Sequence, residues 1–553
     1  MAATATGSDP IRHVVLLILE NHSFDQMLGG LKQVISQLDG VDPSVTRINK
    51  DPEGREYRQA PTTERMMAFD PHHEVQHVAV QLLDHNGGFV KDFAECYPGS
   101  DAKARGFIMG YYPPDFLPAL HKLARNFTVC DRWFSCLPGP TWPNRFFALT
   151  GTSSGRVNMP DDGTHKADIP GYFQQDQDTL FDRLNDVGIH WKVYFHDVPQ
   201  TTVLIHQREP HNVARYFYIG EFYDDARGAE SEFPQFCLIE PDYLGFVQND
   251  DHPPHDIMRG EKLIADVYNA IRANDALWKS TLLIVFFDEH GGFYDHVEPP
   301  AAIPPDDHVP AHDPKAEYTF DRLGVRVPAI LVSPWLDPGV NSTQFDHTSV
   351  LKYLTDKWRL GPLGCRTGAA TSIGVAPLRA SPRDGVLPRI ELTPEELNPP
   401  DPATDQNAAE YPSDHQKALA LLATYLKEEG FELAPWWSSW LARLFERIKA
   451  VIEAVLGWAY RENGNLVISI AEPDRLAGKK DVTPRDNVAH FIMRKKKYAI
   501  MGLPNRLRQP DLSPAQQQHS LQTLALLTGR KFHNERDKDK NANTWLRGQL
   551  GGR

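Results

Sequence analysis

Two pairs of adjacent oxygen-bearing side chains stand out, each directly after an oily run. Residues 14–19 (VVLLIL) are followed by Glu20 and Asn21, and residues 281–287 (TLLIVFF) by Asp288 and Glu289. Carboxylates and an amide oxygen are hard donors, so two such pairs side by side would make a nest for a divalent cation. Either pair alone could equally be a solvated strand end or a helix cap. An apolar run ending in Asp-Glu also looks like a Walker B segment, but the Walker A loop that would complete it does not occur in the chain.

A hydroxyl offers the third piece of chemistry. Residues 138–145 (PGPTWPNR) read as a rigid turn feeding a helix, with Thr141 at the N-cap and Pro143 just inside. Capping explains Thr141 without any chemistry. The same position also faces free N–H groups and the positive end of the helix dipole, a setting that stabilises a bound phosphate. A cation against that hydroxyl would lower its pKa and let it attack phosphorus. For proton transfer the candidates are His73 in FDPHHE (69–74), His252 in DHPPHD (251–256), and His196 after WKVYF (191–195). Of the 23 histidines most must be structural, but the His252 loop leads straight into the helix before the Asp288 strand.

For these residues to meet, their carriers must lie in one sheet. The runs 14–19, 191–195, 281–287 and 325–332 are apolar throughout, as expected of parallel strands covered by helices on both faces. Segments 261–274 and 349–359 read as helices between them, which makes the fold α/β. Ligands bind just beyond the carboxyl ends of such strands. Successive strand residues point to opposite faces, so Asp288 and Glu289 can share a ligand only if the chain leaves strand geometry. Gly291 and Gly292 supply that freedom. Long Pro, Gly and Asp-rich stretches at 245–259 and 297–314 read as functional or disordered loops.

A chain of 553 residues has room for a large domain and an attachment. The shift at EELNPPDP (395–402) marks a boundary, giving a catalytic domain over 1–400 and a C-terminal region over 401–553. A net charge of -15 argues against nucleic acid as a partner. The five cysteines lack CxxC spacing and are expected to be reduced and structural. No signal peptide is visible, and no stretch reaches the roughly 18 apolar residues of a membrane span. The expected location is therefore cytoplasmic, or outside the cell by a route that needs no leader. Residues 435–460 show apolar positions at helical spacing. They read as an amphipathic helix, either packed on neighbours or lying in a lipid interface through Trp436, Trp437 and Trp440. The tail beyond Arg530 is polar and loosely ordered by composition.

Taken together, HVVLLILENHSFD (13–25), PGPTWPNR (138–145), DHPP (251–254), residues 281–296, RVPAILVSP (326–334) and FDH (345–347) resemble the bacterial phosphoesterase family that includes phosphatidylcholine-preferring phospholipases C and related acid phosphatases. The resemblance implies an alkaline-phosphatase-like three-layer α/β/α sandwich with a largely parallel sheet. It implies a divalent cation (Ca, Mg, Mn or Zn) held by Glu20, Asn21, Thr141, Asp288 and Glu289, with Thr141 as a nucleophile forming a phospho-threonine. Asn144, His73 and His252 would contact phosphoryl oxygens or assist proton transfer, His196 would touch substrate, and His347 would support from behind. The implied substrate is a phospholipid, with peripheral membrane contact. If its headgroup is choline, Tyr111, Tyr112, Trp142 and Tyr194 are the aromatic faces available. The competing expectations are a phosphomonoesterase of the same fold and, from another class, a membrane-binding module without catalysis. Threonine at 141 fits the phospholipase branch, because the acid phosphatase branch tends to carry serine there.

Overall fold

The computed structural model describes residues 9–160, 172–197, 199–243, 248–308, 318–398, 413–428, 459–462 and 465–468. An eight-stranded sheet forms the centre: β1 (His13–Leu19), β2 (Thr128–Cys130), β3 (Trp191–Phe195), β4 (Tyr216–Tyr218), β5 (Phe236–Glu240), β6 (Thr281–Phe287), β7 (Ala329–Val332) and β8 (Gly339–Asn341). Their order across the sheet is β8-β2-β7-β6-β1-β5-β3-β4. All pairings are parallel except those of β7, which runs antiparallel to both β6 and β2. Every residue of β1 and β6 is buried, so both faces of the sheet centre are covered. The expected α/β architecture holds.

Three of the four expected strands fall where the apolar runs lie, and the fourth differs in two ways. Only Ala329–Val332 of the run 325–332 pairs, and it pairs antiparallel. Pro328 has no N–H to give a ladder, and Arg326 is drawn away into an ion cluster with Asp25 and Asp295. One central strand was not foreseen: Phe236–Glu240 pairs with β1 on the side away from β6.

The helices used below are α1 (Val75–Gln81), α2 (Phe89–Cys96), α3 (Thr141–Thr150), α4 (Ile257–Ala273), α5 (Thr348–Trp358) and α6 (Asp414–Glu428). α4 starts earlier than the expected residue 261 because Asp256 caps it, accepting from the backbone N–H of Met258. All five cysteines are free thiols.

Two compact units divide the chain, Met1–Tyr425 and Leu426–Arg553. The first runs past the expected boundary near residue 400. In the second, Ala459–Glu462 and Asn465–Ile468 form an antiparallel pair. Residues 435–458 of the expected amphipathic helix, and the polar tail, lie outside the described residues; Ala459 and Tyr460 are strand, not helix. Among the described residues no helix is long and apolar enough to cross a membrane.

Candidate active site

β1 and β6 are in register to their last residues, Leu19 opposite Phe287, so Glu20 and Asp288 leave the sheet side by side. The ladder continues one step further, with the Asp288 N–H donating to Leu19 O at 3.0 Å. There both chains turn through left-handed backbone: Asn21 has φ 58°, Gly291 φ 61° and Gly292 φ 73°. Gly291 is also a close-approach position, since a Cβ there would sit 2.2 Å from Asn21 O. Glycine thus lets the two strand exits touch, beyond the turning role expected of it. Local N–H groups hold the acids: Asp288 Oδ1 accepts from the N–H of Glu289 (2.7 Å) and Asn21 (3.3 Å), and Glu289 Oε2 from that of Gly291 (2.7 Å). Burial pushes both carboxyls above their usual range, while Arg145 pulls Asp288 back and His73 pulls Glu289 back.

Arg145, which sequence reading passed over, ties the two strand ends together. Its Nε donates to Asp288 Oδ2 at 2.8 Å and its Nη2 to Glu20 Oε1 at 3.1 Å, while its guanidinium lies over the Tyr243 ring. It sits on α3, all ten of whose residues are buried. Thr141 is four residues earlier on the same helix, hence on the same face one turn nearer the N-terminus. The expectation that Thr141 caps α3 is corrected: Pro140 is the N-cap, and Thr141 is the first helical residue. Its hydroxyl is buried without a hydrogen-bond partner.

Asn144 is also reassigned. Its Oδ1 accepts from the Leu137 N–H at 3.0 Å, and its Nδ2 donates to Gly139 O at 2.8 Å and Pro140 O at 3.2 Å. Two prolines leave the 137–140 turn short of N–H donors, so the amide is spent on shaping the turn that presents Thr141, not on a phosphoryl group.

His73 and His252 are brought together. His73 Nδ1 donates to Pro71 O (2.7 Å) and His252 Nδ1 to Pro253 O (2.6 Å), which leaves both Nε2 atoms facing inward. They meet on one carboxylate, Asp414, with His73 Nε2 3.5 Å from its Oδ2 and His252 Nε2 3.4 Å from its Oδ1. The Asn21 amide and Glu289 Oε1 lie 3.4 and 3.8 Å from His73 Nε2. Burial works against charging either ring, but the carboxylates outweigh it: Glu289 and Asp414 for His73, Asp70 with Asp414 and Glu20 for His252. Both imidazoles titrate well above their ordinary value.

Asp414 and its neighbour His415, whose Nδ1 sits 2.9 Å from Glu20, come from α6 and were not foreseen. The segment SDHQ (413–416) carries no periodic or spacing signal that links it to residues nearly four hundred positions away. Arg145 did carry a signal, a lone cation in an otherwise uncharged helix four residues after the hydroxyl.

The remaining expectations separate. His196 is not brought to this cluster; its Nδ1 donates to Glu240 O at 2.9 Å, at the end of β5. His347 lies behind the acids, donating from Nε2 to Asp288 O at 2.7 Å and accepting from Trp133 Nε1 at 3.1 Å. Burial lowers its pKa to about 3, which keeps it neutral. The four aromatic residues do not form one cage: Tyr112 stacks on Phe116, Tyr194 bonds Asp225, and of the rest Trp142 packs near the site, 6.2 Å from His415.

A cation fits this donor set. Asn21 Oδ1, Thr141 Oγ1 and Glu289 Oε1 are buried oxygens without a hydrogen-bond partner, on three of the five expected ligands. Such orphans are costly, and a hard divalent ion would satisfy them. His73, His252 and Asp414 form a second grouping, with ligating atoms within 4.8 Å of one another.

Residues 11–361 match the family described as the Phosphoesterase family. The chain is 32% identical over 382 residues to non-specific phospholipase C3 of Arabidopsis thaliana, covering 62% of this chain and 69% of that one. It is 30% identical over 456 residues to non-specific phospholipase C4 of the same plant, covering 76% and 81%. With phospholipase C A of Mycobacterium tuberculosis (strain ATCC 25618 / H37Rv) the identity is 29% over 439 residues, covering 69% and 82%. Among solved structures, a protein in the alkaline phosphatase superfamily from Vibrio parahaemolyticus aligns over 73% of this chain and 96% of its own, at 11% identity and a TM-score of 0.27.

Proposed function

The chain belongs to the phosphoesterase family, and from that footing we propose that it is a phospholipase C-type hydrolase that cleaves glycerophospholipids such as phosphatidylcholine on the diacylglycerol side of the phosphate. Similarity to plant and mycobacterial phospholipases C supports the substrate class. The observation that carries the mechanism is the buried, unpartnered Thr141 hydroxyl, one helical turn from the arginine that grips Glu20 and Asp288.

In this reading Thr141, its hydroxyl proton released to solvent beforehand, attacks phosphorus through Oγ1 as the alkoxide, and the bond to the diacylglycerol oxygen breaks. His252 Nε2 protonates the departing oxygen, since its Nδ1 is already committed to Pro253 O. Water then attacks the phospho-threonine, passing a proton back to His252; the bond from phosphorus to Thr141 Oγ1 breaks, the alkoxide is restored, and the phosphorylated headgroup leaves. His73 Nε2 holds a phosphoryl oxygen through both steps. A divalent cation held by Glu20, Asn21, Thr141, Asp288 and Glu289 would supply Lewis-acid polarisation of the hydroxyl and the phosphoryl oxygens. Arg145 offsets part of the negative charge of that set, and His347 fixes the backbone of Asp288. Asn144 acts through the turn it shapes.

The bridging Asp414 has to yield for this to happen. Its carboxylate lies within ion-pair distance of both Nε2 atoms, though that of His252 has no hydrogen-bond partner, so a phosphoryl group received there would take the place of that carboxylate. Contact with a lipid surface through residues 435–460 belongs to the same reading and rests on their tryptophan pattern, and nucleic acid has no part in it. The test is product analysis on phosphatidylcholine vesicles and on a soluble phosphomonoester, wild type beside Thr141→Ala. We expect diacylglycerol and phosphocholine from the wild type alone. Hydrolysis of the monoester only would move the reading to a phosphatase, and full activity in the variant would remove the nucleophile.

A further inference from the structure

A second convergence of ligating atoms lies away from the oxygen nest, where α1 packs on α2. Asp92 and Cys96 are four residues apart on α2, hence on one face. There they meet His77 of α1, whose Nδ1 is 2.8 Å from Asp92 Oδ1 and 3.4 Å from Cys96 Sγ. The loop entering α1 adds two more donors. The His72 ring stacks on His77 at 4.5 Å, its Nδ1 is 3.2 Å from Glu74 Oε2, and the ligating atoms of His72, Glu74 and His77 lie within 4.8 Å of one another. Those of His77, Asp92 and Cys96 do so as well. Asp92 is buried and the other four are half-buried, a depth an ion can reach from solvent.

A thiol, an imidazole and a carboxylate in contact invite comparison with a nucleophilic relay. That reading fails on geometry. A relay needs the thiol on one ring nitrogen and the acid on the other, so that a proton can pass through the ring. Here Asp92 and Cys96 approach the same nitrogen, His77 Nδ1. Different donor types gathered at one point is instead how ligands stand around an ion. Metal–ligand bonds of about 2.0–2.3 Å in a tetrahedron put neighbouring ligand atoms roughly 3.3–3.8 Å apart. The 3.4 Å N···S spacing already falls in that range, and the 2.8 Å N···O spacing needs to open by about half an ångström.

We propose that His77, Asp92 and Cys96, with Glu74 and His72 alongside, form a binding site for a borderline-soft divalent ion of the zinc type. The donor set of thiol, imidazole and carboxylate selects such an ion over calcium or magnesium, which take oxygen alone. The site is distinct from the oxygen nest at the strand ends. Its effect is to clamp α1 to α2 and to fix the segment 72–77, which includes His73. The role is structural support of the histidine that faces the phosphoryl group.

Cobalt(II) titration of the chelator-stripped full-length protein tests this directly. The oxygen nest and the His73–His252–Asp414 grouping contain no sulfur, so a thiolate-to-cobalt charge-transfer band reports the proposed site and not the catalytic one. The band should appear with one equivalent bound, vanish in Cys96→Ser, and persist in Thr141→Ala and Cys365→Ser. Zinc affinity measured by competition with a chromogenic chelator should fall by about 100-fold in Cys96→Ser and in His77→Ala. The near-isosteric Cys96→Ser keeps the test valid if His77→Ala does not fold. Saturation with cobalt without a charge-transfer band, or a band that survives Cys96→Ser, overturns the proposal. Neither outcome bears on phospholipid hydrolysis, which is read separately.

Discussion

Two arginines are buried beyond the carboxyl ends of the same two strands, and they do opposite work. Arg326 stands between Asp25 and Asp295, bonding both, and also donates to the carbonyls of Asp39 and Asp131 at 2.7 Å each. All four carboxylate oxygens of Asp25 and Asp295 have partners, supplied by Arg326, His296, Gln59 and the N–H groups of Asp25, His296 and Val297. Arg145 likewise bonds Glu20 and Asp288, but around it Asn21, Thr141 and Glu289 each keep a buried oxygen that nothing satisfies. Around Arg326, the closed cluster, the unsatisfied buried oxygens are those of Gln59 and Asp131, which bond that cluster from its edge, whereas around Arg145, the open one, they include a hydroxyl, that of Thr141, so the difference lies in the chemistry of the groups left bare.

The largest effects follow from that difference. Thr141→Ala should lower kcat by about 10⁴-fold or more, the scale seen when a covalent nucleophile is removed, and leave the melting temperature at or slightly above wild type. Relief of an unsatisfied buried hydroxyl offsets the ~0.8 kcal/mol lost with the buried methyl that Ala also removes. Arg326→Leu should do the reverse, destabilising the protein by about 3–5 kcal/mol because two buried carboxylates lose their counter-charge. Denaturant unfolding and steady-state kinetics on the two variants check the pair. A Thr141→Ala protein that melts far below wild type, or an Arg326→Leu protein of normal stability, would break the comparison.

Much of the open cluster was legible because strand ends announce themselves. Apolar runs of six or seven residues fix β1 and β6, and the polar pairs after them can only sit at the carboxyl edge. What stayed hidden was set by chain-distant contact. His415 reaches Glu20 across 395 positions, and no periodicity connects them. Arg145 is hard to single out because a charged residue in a helix reads by default as its solvent face, whereas here the ion pairs are internal. Asn144 differs from expectation because an amide three residues after a hydroxyl looks the same in sequence whether it meets substrate or, as here, backbone. The run at 325–332 misled because apolarity alone does not carry strand direction, and Pro328 cuts it short.

A pH experiment sharpens the closed side of the comparison at a smaller scale. His296 donates to Asp25 and faces Asp39, with Asp295 and Arg326 packed beside them. Burial would lower its pKa, but hydrogen bonds and charge from Asp25 and Asp39 win and raise it to about 9. A histidine raised in the folded state stabilises fully below its unfolded value near 6.5, and that contribution is lost as pH rises through about 9. Discounted for partial exposure, the loss should be about 2 kcal/mol between pH 6.5 and 9.5. Urea unfolding of wild type and His296→Gln over that range checks it: the wild-type slope should disappear in the variant. An unchanged slope would assign the pH dependence to another group.

The smallest effect is the most informative about the open side. Among the described residues Asp414 is the acid whose carboxylate lies within ion-pair distance of both imidazole Nε2 atoms, and its side chain is 18% exposed, against 2% and 0% for those of the histidines beside it. On the proposed function it is a resident anion that an incoming phosphoryl group would replace. Asp414→Asn keeps the shape and removes the charge, so inorganic phosphate should bind about 10-fold more tightly, the ~1.4 kcal/mol of one relieved like-charge contact. Calorimetric titration with phosphate reads this without any turnover. Asp25→Asn in the closed cluster should give no such gain, only lost stability, because no ligand competes for its partners. If Asp414→Asn instead binds phosphate as the wild type does while kcat falls by 100-fold, then Asp414 takes part in the chemistry, and the open cluster is less open than its orphaned oxygens make it.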